Sequence, residues 1–345
     1  MDKAQERREI WVDNVKTAAC ILVVLGHFFQ SMVQSGILEE TDVWKWFDQT
    51  IYCFHVQLFF ICSGYLYQKG RNIRSFKDWK ANTIKKAIAL GVPYFTFSGI
   101  TWIMKNVFSW AVNNEEPGIL VSFFVEPISP YWYLYTLFWA FVITPVLTNK
   151  KNTAVIFVTA CFMKLFVMSN AAAYLGVPYV LRNQFNYEIW FVFGMLLYMA
   201  KEKQVKTCEI KKRYLITGST LGILFLGTSI VIFMMDLYNS WIEFLLGTVA
   251  CGAIVSMAAG LWWENTQIPF LETAARYTMP VFLMHTIFAA GLRSILVKMG
   301  IYDPFIHVTA GILFSFLGPA AAMKIMEKLK WPVFFVYPLK VLRRR

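Results

Sequence analysis

Lys16, Cys20, His27, Ser31 and Gln34 form a polar stripe in the otherwise apolar run VKTAACILVVLGHFFQSMVQSG. An ionisable group at the centre of a membrane helix costs about 2.5–3.5 kcal/mol on insertion scales, so a histidine there needs a reason. Lys16 and His27 are eleven residues apart, close to three whole turns, and on a helix both project from one face about 16 Å apart. The stripe therefore reads as a polar track with a cation at one end and a titratable base at the other. The bland alternative for His27 is an interhelical hydrogen bond; Lys16 and the flanking polar residues favour an aqueous cavity.

Other candidates carry their own alternatives. His55, in YCFHVQLFF, lies near the outer end of the second apolar run at a depth similar to His27, and suits either chemistry or packing. His285, in PVFLMHTIF, is open to the same two readings, whereas His307 reads as structural. Ser63-Gly64, in FFICSGYLY, favours close helix packing over a nucleophile, because no Gly-x-Ser-x-Gly turn is present. Tyr131, Trp132, Tyr133 and Tyr135 have the composition of an interfacial aromatic belt. The segment from Lys69 to Lys86, read as a loop, sets seven cations against Asp78 alone. It suits the phosphates of a nucleotide-like donor, although charge alone favours an anchor to anionic lipid head groups. The six cysteines form no C-x-x-C pair, so neither a disulfide framework nor a metal site is expected.

These residues need a membrane frame to position them. The 345 residues are 57% hydrophobic and 17% aromatic, with a mean hydropathy of +0.49, far from a soluble domain. Apolar runs long enough to cross about 30 Å of hydrocarbon fall near 16–36, 48–68, 87–108, 131–149, 153–170, 186–200, 214–235, 241–261, 278–297 and 305–323. The expectation is an all-α polytopic protein of about ten transmembrane helices. With the N-terminus inside, every Lys and Arg except Lys45, Lys105, Lys164, Arg182, Arg293 and Lys298 falls on the cytoplasmic side. Both termini are therefore expected in the cytoplasm. The net charge of +12 is then a topology signal, and the expected partner is the bilayer rather than nucleic acid. The first run carries His27 and no small-residue cleavage pattern, so a cleaved leader is not expected. Residues 1–345 read as a single membrane domain with a short N-terminal segment, 1–15, and a basic tail, 324–345.

Taken in order, VDNVKTAACILVVLGH, FHVQLFFICSGYLY, IKKAIALGVPYF, SPYWYLYTLF, FVFGMLLY and MPVFLMH resemble the membrane-bound acyltransferase 3 family. Within it they are similar to the stand-alone sugar and polysaccharide O-acetyltransferases. The resemblance implies transfer of an acyl group, usually acetyl, from cytoplasmic acetyl-CoA to a saccharide or glycolipid hydroxyl, in a bacterial cytoplasmic membrane. Acyl-CoA is then a donor substrate, and no tightly bound cofactor or metal is expected. The family's first-helix signature is an arginine, ten residues, then a histidine; here Lys16 replaces the arginine, keeping the charge and losing the planar fork.

On this reading His27 is the general base. His55, Tyr52 or Ser63 would supply a donor to the developing oxyanion. Lys16, Arg71, Arg74, Lys77, Lys85 and Lys86 would hold the CoA phosphates, with the pantetheine arm lying along the track toward His27. Arg182 and Glu188 would orient the acceptor. Gln57 stands where the family usually has proline, which predicts a straighter second helix and an amide in need of a partner. The rival reading is a polysaccharide or small-solute exporter using the same polar core. A ligand-binding sensory domain is a third.

Overall fold

The computed structural model describes residues 8–70, 73, 75–107, 117–202 and 207–343. Among them every regular element is helical, as a chain buried in lipid requires, because no water is present there to satisfy open backbone groups. In chain order they are α1 (Ile10–Gln34), α2 (Asp42–Tyr52), α3 (His55–Gly70), α4 (Phe76–Lys86), α5 (Val92–Val107), α6 (Ile119–Phe124), α7 (Trp132–Ile143) and α8 (Lys150–Met168). They continue with α9 (Ala171–Tyr174), α10 (Tyr179–Glu202), α11 (Cys208–Met234), α12 (Ser240–Leu261), α13 (Pro269–Lys298), α14 (Pro304–Leu329), α15 (Val333–Val336) and α16 (Pro338–Leu342).

Among the described residues, eight helical runs are long and apolar enough to cross a membrane: α1, the α2–α3 pair, the α4–α5 pair, α8, α11, α12, α13 and α14. The predicted runs at 131–149 and 186–200 correspond to α7, of 12 residues, and α10, of 24 residues. The chain is thus an all-α polytopic membrane protein.

The bundle is built around α3. In the most apolar 18-residue stretch of each run, 83% of the α2–α3 residues are buried against 17% for α8 and for α11, which places α3 at the centre and those two toward lipid. Glycines let α10 reach it: a Cβ on Gly64 would fall 1.9 Å from the Phe191 carbonyl oxygen, and one on Gly194 would fall 1.9 Å from that of Ile61. The packing expectation for Gly64 is met by direct backbone contact between the two helices.

Three local expectations are corrected. The second run is not straight: it breaks at Cys53–Phe54, so that His55 opens α3. The Oε1 of Gln57, buried in α3, has no hydrogen-bond partner among the described residues. The basic segment is not a loop throughout, because Ser75 and Asp78 form a reciprocal cap that starts α4, and the π-helical turn Ala87–Gly91 then joins α4 to α5. Nor do the aromatic residues near 131 form a belt. Tyr131 is fully buried and its hydroxyl donates to the Leu283 carbonyl at 2.9 Å, while Tyr133 packs on Phe60 and Phe282.

Helix α7 stops early because its neighbours take over its backbone groups. Gln68 of α3 donates to the Leu147 carbonyl at 2.8 Å and accepts from the Leu147 N–H at 2.9 Å. The Tyr67 hydroxyl donates to Thr144 O at 2.8 Å, and the Trp79 indole donates to Val142 O at 2.9 Å. Non-helical backbone at this depth is tolerated where protein buries and pairs it.

A comparable repair occurs in α13. Pro280 has no N–H for the carbonyl four residues back, and that carbonyl, Arg276 O, accepts from the Tyr337 hydroxyl at 3.1 Å. The tail that supplies Tyr337 buries Val333, Val336 and Pro338, so it folds back onto the bundle. At the same end Glu9 accepts from Lys69 at 2.9 Å and from the Trp11 indole at 3.1 Å, with Lys201 at 3.5 Å. That carboxylate ties the start of α1 to the ends of α3 and α10.

Candidate active site

The upper half of α1 borders a cavity of about 530 Å³ enclosed with α5, α13, Ser129 and Ser315 of α14. It extends from His27 to the ends of α1, α5 and α13, where Gln34, Lys105 and Lys298 line it. His27 is partly exposed to this space. Its ring centroid lies 5.6 Å from that of His285 and 6.4 Å from that of Tyr52. Gly26 makes the second approach possible, since a Cβ there would meet Ile51 Cδ1 at 3.0 Å and the Tyr52 ring at 3.2 Å.

Hydrogen bonds fix the surroundings of His27. The Tyr52 hydroxyl donates to Gln30 Oε1 at 3.0 Å, and Gln30 Nε2 donates in turn to Asp48 at 3.0 Å. One turn beyond His27, Arg293 donates through Nη1 to Ser31 O at 2.8 Å and to Ser31 Oγ at 2.5 Å. Arg293 is only 6% exposed, so a guanidinium charge is held beside the cavity rather than at the surface. Tyr131 joins Thr101 at 3.0 Å and so fixes one wall.

The structure brings only part of the sequence-derived set together. His27, Ser31 and Gln34 share the cavity, but the lower half of the stripe does not continue it. Thr17 and Cys20 face α13 and bond to Thr278, at 3.1 Å to Oγ1 and 3.5 Å to its carbonyl. The lining residues of α1 begin at Val24. The track is continuous in residue type and interrupted in space, because packing against α13 uses its small polar groups.

Lys16 stands within electrostatic reach of Lys86 and Cys62, at the basic end of the bundle. Lys86 lies 3.5 Å from the centroid of the Phe141 ring, while Lys77 and Lys85 are exposed on α4. Arg71 and Arg74 lie outside the described residues.

His55 is 1% exposed and is not in the cavity lining. Its Nδ1 donates to the Ile51 carbonyl at 2.6 Å, and its ring meets Tyr52 edge-on at 4.6 Å. A neutral His55 therefore has no second N–H for an oxyanion. Ser63 lies in the α3 core. Arg182 and Glu188 are also absent from the lining. Glu188 instead accepts from Thr144 and, at 2.6 Å, from Gln184 Nε2, in a separate buried cluster. His307 is structural, donating from Nε2 to Ile301 O at 2.9 Å.

Sequence reasoning did not single out Arg293, although its signal was present: a lone arginine in an apolar run is a functional candidate by default. Gln30 follows His27 by three residues on the same helix face and was equally readable. His285 is open to two readings in the sequence because its setting depends on α1, far away in the chain.

A family model described as an acyltransferase domain matches residues 9–324. Two proteins called nodulation protein NolL are similar to the chain. The one from Mesorhizobium japonicum is 26% identical over 156 residues, covering 44% of this chain and 39% of the relative. The one from Sinorhizobium fredii is 26% identical over 205 residues, covering 58% and 51% respectively. The chain thus spans about half the length of these relatives or less. No solved structure matches it.

Proposed function

The chain belongs to the acyltransferase 3 family and is an acyltransferase by that membership, and from this premise we propose that it moves an acyl group, acetyl foremost, from acyl-CoA to a saccharide hydroxyl. The donor binds at the basic end and the acceptor enters the cavity at the other. By the charge distribution of the sequence the basic end faces the cytoplasm, in a bacterial cytoplasmic membrane, and the acceptor is a cell-surface saccharide or its lipid-linked precursor. The observation that carries this reading is the position of His27, at the inner end of a cavity of about 530 Å³, within the range of small-molecule sites.

A saccharide hydroxyl is a weak nucleophile until its proton is removed as the new bond forms, and a neutral imidazole suits that task near neutral pH. His27 takes the proton as the hydroxyl oxygen attacks the thioester carbonyl. The carbon–sulfur bond then breaks, and CoA leaves as a thiolate that is reprotonated. Gln30, Ser31, Gln34, Thr101 and Ser129 line the cavity with the hydrogen-bonding groups that a polyhydroxylated acceptor requires. Lys16, Lys77, Lys85 and Lys86, with Arg71 and Arg74 by sequence, serve the CoA phosphates.

The test uses His27→Gln, which keeps a polar side chain and removes basicity. Acyl transfer should fall by about 10²–10⁴-fold while the protein stays folded and in the membrane. Normal transfer by the variant contradicts the reading; glycan export that the variant retains, with no acyl transfer by the wild type, supports an exporter instead.

A further inference from the structure

His285 is 1% exposed, yet its ring belongs to the cavity wall beside His27, with a tilt of 34° between the two imidazoles. Its Nδ1 lies 3.0 Å from two backbone carbonyl oxygens, those of Val281 and Phe282. Carbonyls only accept, so the neutral ring carries its proton on Nδ1 and Nε2 is a lone pair. That Nε2 is buried and has no hydrogen-bond partner among the described residues. A histidine used only for packing has no reason to hold an unpaired acceptor at this place, since buried polar atoms are almost always paired.

We propose that His285 is the positioning residue of His27: its Nε2 receives the N–H of the His27 imidazole, fixes that ring's tautomer and shares its charge. The two rings differ in the way this requires. His27 meets the cavity and His285 stands behind it. A small ring rotation or one bridging water closes the 5.6 Å between centroids. The arrangement follows a general logic in which a base is oriented by a third group.

The inference rests on the acyl-transfer reading for its catalytic consequence. In that step the acceptor O–H breaks, its oxygen bonds to the acyl carbon, and the proton goes to His27. The carbon–sulfur pair leaves with CoA, and the proton returns to the thiolate. His285 gains and loses nothing overall. While His27 is protonated, the N–H opposite its new proton still points at the Nε2 lone pair, and the Val281 and Phe282 carbonyls support any charge passed to His285.

His285→Asn separates this role from a structural one. The amide N–H of asparagine occupies the place of Nδ1 and keeps a donor for the carbonyls, whereas Nε2 is removed. The full chain is purified in detergent and His27 carbethoxylation by diethyl pyrocarbonate is followed by peptide mass spectrometry, beside acyl transfer. Carbethoxylation of His27 should slow by at least about fivefold and turnover should fall by at least about tenfold, with the acceptor KM changed by less than about threefold. Both rates within about twofold of wild type in monodisperse His285→Asn would overturn the proposal. If that variant is not monodisperse, His285→Leu, which also has no acceptor at the place of Nε2, takes its place with the same two outcomes. A wild type that transfers no acyl group removes the functional reading, while the carbethoxylation comparison still decides the pairing.

Discussion

A side chain that accepts a proton from a substrate must meet the substrate, and of the three histidines near the middle of the bundle only His27 combines cavity contact with partial exposure. Tyr52 is its scaffold: the ring sits beside His27 and His55, and the hydroxyl is committed to Gln30. Tyr52→Phe keeps the ring and removes that hydrogen bond. It should destabilise the protein by about 0.5–1.5 kcal/mol and slow transfer by less than about tenfold, far less than His27→Gln. Thermal unfolding and initial rates on purified protein check both figures. His27 was legible from sequence because a histidine within a polar stripe is anomalous in an apolar run. Lys16 was legible as its charged counterpart, but the packing of Thr17 and Cys20 against Thr278 was not. Which neighbours occupy the space between two residues on one helix depends on a helix some 250 positions later in the chain.

Helices themselves were readable where hydropathy runs are long, and their ends were not. The early stop of α7 depends on Gln68 and Tyr67 reaching across from α3, and the break before His55 leaves no proline or glycine as a marker. Close approach of α3 and α10 is the most demanding contact between elements. Gly64→Ala and Gly194→Ala each place a Cβ 1.9 Å from a backbone oxygen; such overpacking costs about 1–3 kcal/mol, occasionally more. Gly227→Ala in α11 meets nothing within 4 Å and should be neutral or stabilising by up to about 1 kcal/mol, because alanine is the better helix former. Thermal unfolding of the three variants in one detergent separates these outcomes. Equal behaviour of all three would contradict direct backbone packing.

Across the whole molecule, the basic end is a clamp as well as a charge. Burial raises the affinity of the Glu9 carboxyl for its proton, but the Lys69 hydrogen bond, the charges of Lys201 and Lys69 and the Trp11 indole outweigh it. The folded carboxyl therefore titrates below the usual carboxylate range. Its stabilising contribution is present above that range and lost as pH falls through the folded value. Glu9→Gln should lower the melting temperature at about pH 7, and the gap from wild type should close as pH falls below the usual carboxylate range; a gap independent of pH would contradict the clamp. With the cations gathered at one end and the cavity extending toward the other, the account places donor and acceptor on opposite sides of the membrane, with His27 between them. The most direct test is incorporation of radiolabel from acetyl-CoA into the glycan and lipid fractions of inside-out membrane vesicles, with wild type and His27→Ala at equal expression. The account predicts label with the wild type and none above background with the variant. Equal label from both, or none from either when a native acceptor and several acyl-CoAs are supplied, would contradict it.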